Sequence, residues 1–231
     1  MIVTIRRAAL GDAVNLAQVH FAAWSQAYRG VFPDEIFKNW SHEERVLEWE
    51  ARIERHPALF VAIRSGRPVA YGSYQVKENM ATHVGSLYVH PDHQRAGISA
   101  QLFQAMVLDS PLSTVSVDVL EGNNTATAVY EAWGGRPSTG PDFTIAARTY
   151  PPVRYQWQDR DRLIRRLTPV HIRPWQPEDS VEHLTALLHD GYRRNADANL
   201  RFIATHQSAE TTRSRMDGGQ CFLAIADKDM V

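Results

Sequence analysis

The sequence predicts a mixed α/β fold in which an antiparallel meander precedes a parallel crossover. Three observations lead there. Strand-like apolar runs at 58–64, 69–76 and 83–89 follow one another, the first two joined by Ser65-Gly66-Arg67-Pro68, a hairpin signal. The third run stops at Pro91 and passes through a polar turn into a helix that opens near Gly97, where Ile98, Leu102, Ala105 and Met106 recur at helical spacing. A further run at 114–120, alternating Val115, Val117 and Val119, then completes a strand–helix–strand unit.

The remaining elements follow in order. Residues 2–6 read as a first strand. Asp12 stands where an N-cap would, ahead of a helix over 13–28 whose broad apolar face carries Leu16, Val19, His20, Ala23, Trp24 and Ala27. His20, Trp24 and Tyr28 are four apart and stack over successive turns. They are either core aromatics beside a satisfied histidine or the wall of a binding pocket. Gly30 and Pro33 break that helix. Ser41, with Glu44 three residues on, marks a capping box for a second helix over 41–55, with Val46, Leu47, Trp49 and Ile53 on its apolar side. Beyond the crossover, 125–133 reads as a short helix ended by Gly134-Gly135. Segments 144–147 and 154–157 suggest a closing hairpin across Pro151-Pro152, and the first unit closes near Leu167.

Gln94-Arg95-Ala96-Gly97-Ile98-Ser99 is the stretch that points to chemistry. A strand feeding a helix start through a glycine turn leaves orphan N–H groups aimed outward, and the helix dipole adds to them. The segment reads as a pyrophosphate cradle.

Composition narrows the rest. With 44% hydrophobic and 22% charged residues the chain matches an ordinary soluble globular protein. A net charge of −1 gives no reason to expect nucleic acid or an anionic membrane. Cys221 is the sole cysteine, which excludes an intramolecular disulfide and a cysteine-based zinc site; no metal is expected. The N-terminus turns charged at Arg6-Arg7, unlike a signal peptide, and no run approaches the roughly 20 apolar residues of a membrane span. A cytoplasmic location is expected.

Past Thr168 the chain begins again. His171-Ile172-Arg173-Pro174 echoes Thr4-Ile5-Arg6-Arg7, Glu178-Asp179 lies where Gly11-Asp12 lay, 180–192 is helical, and 221–226 matches 59–64. The reading is one domain over 1–167 and a partial second one over 169–231, which stops before any counterpart of 94–99. It is either a piece of a longer tandem protein or an accessory half-unit. The former is favoured, since an edge strand would otherwise be left unpaired.

Two motifs in order carry a family resemblance. Val89-His90-Pro91 through Ser99 is similar to the Q/R-x-x-G-x-G/A acetyl-CoA loop of the GNAT N-acetyltransferases, and Asn123, Ala126 and Tyr130-Glu131 resemble their N-x-x-A…Y-E segment. Residues 22–33 also resemble the helix-loop entry of small-molecule members. The resemblance implies a mostly antiparallel central sheet with a β-α-β acetyl-CoA core and helices on both faces. It implies an acetyl-CoA-dependent N-acetyltransferase acting on a small-molecule primary amine by direct attack in a ternary complex, and it leaves a homodimer open. Leu87 and Val89 would pair with the pantetheine, while Gln94, Arg95, Ala96, Gly97, Ile98, Ser99 and Ala100 would hold the diphosphate. Asn123, Ala126 and Tyr130 would complete the cofactor site. Tyr130 takes the place of the general acid and His83 that of the family's glutamate base, with Glu78 and Asp118 in reserve. Trp24, Tyr28 and Trp40 would enclose the acceptor.

Two residues depart from the family pattern. Ser99 adds a hydroxyl near the phosphates, and Gly135 replaces an aromatic and is expected to loosen the core. Two rival readings are a non-catalytic acyl-CoA-binding or regulatory module and, less favoured, acetylation of a protein or peptide amine.

Overall fold

The computed structural model describes residues 3–38, 41–77, 81–145, 148–200, 202–219, 221–226 and 229–230. Trp40, Glu78 and the end of the predicted 144–147 strand lie outside them. The chain divides into two compact units, Met1–Thr168 and Pro169–Val231.

The first unit runs β1 (Thr4–Arg7), α1 (Ala13–Tyr28), α2 (Glu35–Lys38), α3 (His42–Arg55), β2 (Leu59–Arg64), β3 (Arg67–Val76), β4 (Thr82–Val89), α4 (Ile98–Asp109), β5 (Val115–Leu120), α5 (Asn124–Ala132), β6 (Arg136–Thr139), β7 (Phe143–Ile145), β8 (Arg148–Tyr150), β9 (Pro152–Trp157) and α6 (Arg160–Leu167). Seven strands form one sheet in the order β1-β2-β3-β4-β5-β9-β6. Only β4 and β5 run parallel in it.

Helices cover both faces. On one, Leu16, Ala17 and Val19 of α1 and Trp49 of α3 pack on Leu59, Val61 and Tyr71. His20 is held there by Tyr71, its Nδ1 lying 2.5 Å from Oη, and burial pushes its pKa down to about 4. On the other face, Ile98, Leu102, Phe103 and Met106 of α4 meet Phe60, Ala70, Val84 and Val117. Each fully buried aliphatic side chain of this kind contributes about 1.5–3 kcal/mol.

Three local expectations are corrected, and two elements are added. Asp12 does not cap α1: its carboxylate accepts two bonds from Arg6 and one from the Ala9 N–H, and the helix starts through a 3₁₀ turn instead. The closing hairpin forms elsewhere, because β9 pairs with β5 and β6 while β7 and β8 pair only with each other. Arg136-Pro137-Ser138-Thr139 is an exposed edge strand, where a proline is tolerated and no alternation is needed. The helix α6 was not foreseen; Asp159 caps it by accepting from the Arg162 N–H at 2.8 Å. Gly135 does not loosen the core. A Cβ there would come within 2.8 Å of the Trp157 ring and 3.0 Å of the Tyr130 carbonyl, so Trp157 already fills that space.

The second unit contains β10 (Val170–Pro174), α7 (Val181–Gly191), α8 (Arg193–Asp197), α9 (Ala209–Asp217), β11 (Phe222–Ala226) and β12 (Asp229–Met230). Its strands form a separate antiparallel sheet in that order. Leu223 and Val181 are buried, and Thr185 bonds Thr212 at 2.8 Å inside it.

The contact between α4 and the sheet is close at Gly72, where a Cβ would stand 2.7 Å from Met106 Cε and 3.1 Å from the Ser86 carbonyl oxygen. Gly72→Ala is therefore expected to destabilise the fold by about 1–3 kcal/mol through overpacking. Urea unfolding checks it: the midpoint should fall with the slope unchanged.

Candidate functional site

The site begins where β4 and β5 separate. Their parallel ladder pairs Thr82 with Val115, His83 with Ser116 and Val84 with Val117, and goes no further. Yet β4 continues to Val89 and β5 to Leu120. The cause is visible on the other side of β4. Ser73 pairs with Ser86 and Tyr74 with Val84, so Gly85 is an extra residue without a partner in β3. A bulge bends a strand and shifts the alternation of its side chains. Val84, Leu87 and Val89 consequently all join the α4 side of the core, while Tyr88 turns to the α1 side.

The gap opens a cleft of ≈ 600 Å³. Leu87, Tyr88 and Val89 form one wall, Gly122, Asn123, Thr125, Ala126 and Tyr130 another, and His93, Gln94, Arg95, Gly97, Ile98 and Ser99 the end. The first helix closes the side with Ala23, Gln26 and Ala27, followed by Arg29 and Val31.

At the cleft end, Arg95 and Gly97 both take positive φ, 57° and 73°. Left-handed residues beside a helix start are the kind of backbone from which an anion nest is built. Helices α3, α5 and α6 are each closed by a side-chain oxygen, from Ser41, Asn123 and Asp159. By contrast, α4 starts at Gly97 with no capping side chain. Its first internal bond runs from the Gln101 N–H to the Gly97 carbonyl, leaving the amides before it for an external acceptor. Gln94 fixes the loop by donating from Nε2 to Gln26 Oε1 at 2.7 Å and to the Val89 carbonyl at 3.2 Å.

Most residues expected at a cofactor site are brought together here: Leu87, Val89, Gln94, Arg95, Gly97, Ile98, Ser99, Asn123, Ala126 and Tyr130 all line the cleft. Ala96 and Ala100 belong to the same turn but are not among its lining residues. Asn123 also caps α5, its Oδ1 accepting from the Ala126 N–H at 3.1 Å. Tyr130 is buried against Phe103, Trp133, Tyr155 and Trp157, and burial pushes its phenol pKa well up.

The other expected residues sit outside the cleft wall. His83 lies on the still-paired part of β4, its Nδ1 3.1 Å from Ser116 Oγ and its Nε2 3.8 Å from an Asp118 carboxylate oxygen. Asp118 is itself held by two bonds from Arg154, at 2.7 and 2.8 Å. Burial lowers the His83 pKa; the Asp118 charge opposes this, and Lys77 and Arg154 reinforce it. Trp24 and Tyr28 pack with Phe32 and Phe37 in an aromatic cluster that Ile145 and Tyr150 join. Gln26 and Val31 were not singled out, whereas Arg29 belongs to the segment 22–33 that resembled a helix-loop entry. The signal for Gln26 was faint: it lies between Ala23 and Ala27 on one face of the first helix.

No helix of the described residues is long and apolar enough to cross a membrane. Among those residues no group of three or more His, Cys, Asp or Glu is placed to hold a metal ion.

The family model described as the acetyltransferase (GNAT) family matches residues 18–134. The chain is similar to the uncharacterized N-acetyltransferase YuaI of Bacillus subtilis, at 24% identity over 169 residues, covering 70% of this chain and 96% of that protein. Its fold is similar to that of the PaiA N-acetyltransferase of Thermoplasma acidophilum in complex with coenzyme A, at 16% identity and a TM-score of 0.54, covering 68% of this chain and 100% of that one. It is also similar to YncA, a putative acetyltransferase of Salmonella typhimurium solved with acetyl-CoA, at 17% identity and a TM-score of 0.51, covering 68% and 94%.

The nest at Gly97 makes a direct prediction. The position has open space, its nearest neighbour being Gln101 Nε2 at 3.9 Å, so Gly97→Ala acts through backbone strain and through the Cβ it sets among the amides. Strain of about 1–2 kcal/mol in a left-handed turn should weaken acetyl-CoA binding roughly tenfold. Calorimetry with acetyl-CoA measures it; unchanged affinity would remove this turn from the site.

Proposed function

We propose, for a chain that belongs to the GNAT acetyltransferase family, that it transfers the acetyl group of acetyl-CoA to the primary amine of a small molecule, by direct attack in a ternary complex. The observation that carries this reading is the cleft between β4 and β5, which joins an uncapped helix start to an unpaired strand edge and to Tyr130. The amides of the 95–100 turn would hold the diphosphate, and the freed backbone of Leu87 and Val89 would pair with the pantetheine amides. Acetyl-CoA supplies the activated thioester.

The residues then handle the protons. As the amine nitrogen bonds to the carbonyl carbon, the tetrahedral intermediate collapses with C–S cleavage to the amide, so the nitrogen must lose one proton and the departing thiolate must gain one. Tyr130 gives its phenolic proton to the thiolate. A phenol whose pKa burial has raised stays protonated at neutral pH and is available for this. His83 accepts the amine's proton through intervening water, since it does not line the cleft. Its lowered pKa keeps it neutral, the form a base requires. The small-molecule preference rests on the likeness of residues 22–33 to the helix-loop entry of small-molecule acetyltransferases, a segment whose Arg29 and Val31 line the cleft. A reducing cytoplasm is the proposed location, in keeping with a single cysteine.

Thiol release from acetyl-CoA, screened over aminoglycosides, polyamines, amino acids and short peptides, tests the reading. Turnover is expected with a small amine; acetyl-CoA binding without thiol release from any amine would instead leave a non-catalytic binding module. With the acceptor found, Tyr130→Phe should lower kcat roughly 10²-fold with little change in KM. An unchanged rate would take Tyr130 out of the chemistry.

The base assignment has its own signature. Asp118 raises the His83 pKa against burial, so Asp118→Asn lets it fall further. The acidic limb of the kcat/KM profile should then move to lower pH. A limb that stays in place while the protein remains folded assigns the proton to another group.

A further inference from the structure

The second unit repeats the opening of the first in detail. In the first, Arg6 donates two bonds to Asp12, at 2.7 and 2.9 Å, and the Ala9 N–H donates a third at 2.8 Å. In the second, Arg173 donates two bonds to Asp179, at 2.8 and 2.5 Å, and the Gln176 N–H donates a third at 2.8 Å. Ser41 caps α3 through the Glu44 N–H, and Ser208 caps α9 through the Thr211 N–H. Arg6 to Arg173, Asp12 to Asp179 and Ser41 to Ser208 share one constant offset. Strand register agrees as well. Ile5 faces Ala62 and Arg6 faces Val61, just as Ile172 faces Ala224 and Arg173 faces Leu223. Local sequence, clamp, cap and register match together.

That correspondence gives meaning to one exposed surface. Val3, Ile5, Phe60 and Ala62 share one face of the β1–β2 pair, and all belong to the core built around α4. Phe60 retains 7% exposure. The equivalent face of β10–β11 carries Val170, Ile172 and Phe222, which are 51%, 74% and 59% exposed. The opposite face is covered, with Leu223 buried in the unit's own interior. Two β-branched side chains and a phenylalanine in a row, bare on a sheet whose other face is packed, form an interaction surface.

We infer that this face of β10–β11 receives an amphipathic α-helix whose apolar stripe repeats that of α4, with large apolar residues spaced as Ile98, Leu102, Phe103 and Met106. The helix in the first unit shows what the surface is shaped to hold. One difference refines the partner's chemistry. Arg7 ties α4 down by two bonds to Asp109, each 2.8 Å, and Pro174 takes the place of Arg7 in the second unit. The arriving helix is held by apolar contact without that ion pair, so salt leaves its binding unchanged. This inference is independent of the proposed acetyl transfer.

The test uses the whole chain and a fluorescent peptide with the sequence of residues 97–110, stapled on its polar face to keep it helical. Saturable binding by anisotropy is expected, equal at 0.1 and 0.5 M salt to within about twofold. Ile172→Asp and Phe222→Asp should each weaken it at least tenfold, while Leu47→Asp, on an exposed site of the first unit, should not. Circular dichroism confirms that each variant is folded. The inference is overturned by an absence of saturable binding, by equal binding to Ile172→Asp, or by equal binding of a peptide with Leu102 and Phe103 changed to serine. A dimer of the chain that Ile172→Asp dissolves, with no peptide binding, overturns it too, by assigning the face to a second copy.

Discussion

The early end of the β4–β5 ladder is the constraint on which the first unit's architecture turns. A parallel pair of this length would ordinarily stay hydrogen-bonded along its run, burying both edges. Here three residue pairs form and the strands then diverge. The unpartnered Gly85 on the β3 side makes the divergence possible without breaking the sheet, because β3 keeps pairing with β4 as far as Val89. One edge of β4 therefore remains held while the other is freed. The freed backbone faces a cleft rather than a neighbouring strand, and polar groups in that position need a partner that is not part of the sheet.

Everything around the cleft is arranged by that divergence. The strand end aims the 90–97 turn at the helix that follows, and the left-handed pair Arg95 and Gly97 gathers the amides at the start of α4. The close approach of α4 to the sheet at Gly72, through Met106, holds the later turns of that helix against the strands. From the opposite wall, α5 brings Tyr130, and its position is set by a second close approach. Trp157 on β9 lies over Gly135 and donates from Nε1 to the Trp133 carbonyl at 3.0 Å. The glycine that departs from the family pattern thus makes room for an indole, and the indole packs against Tyr130 at a centroid distance of 6.0 Å.

How much of this was legible depends on whether the signal is local. The helices over 13–28 and 42–55, the meander, the crossover and the glycine turn all rest on periodicity or on a cap within a few residues, and each is present. The turn proposed to hold the diphosphate was legible for the same reason, since Gly97 and the apolar spacing after it lie within one short segment. What could not be read depends on distant partners. Arg136-Pro137-Ser138-Thr139 becomes a strand only because β9 offers an edge. Nothing in 160–167 beyond Leu163, Ile164 and Leu167 distinguishes a short helix from a charged loop. Asp12 reads as a cap until Arg6, across the turn, claims it. Gln26 enters the cleft wall through a bond to a residue sixty-eight positions later.

The acid and the base of the proposed reaction share one physical origin. Removing an ionisable group from water favours its neutral form, which raises a phenol and lowers an imidazole. Tyr130 and His83 are both displaced in that sense by burial, so the first holds its proton and the second is free of one at the same pH. The Asp118–Arg154 pair then has a narrower task. An uncompensated Asp118 would pull the imidazole toward its charged form, and Arg154, bonded to both carboxylate oxygens, offsets that pull. The imidazole is left weakly basic and neutral, oriented by Ser116 on one nitrogen and by Asp118 near the other. In the proposed reaction a histidine would serve where the family's glutamate would stand, because burial acts on it in the opposite direction: it would protonate a carboxylate, and it deprotonates an imidazole.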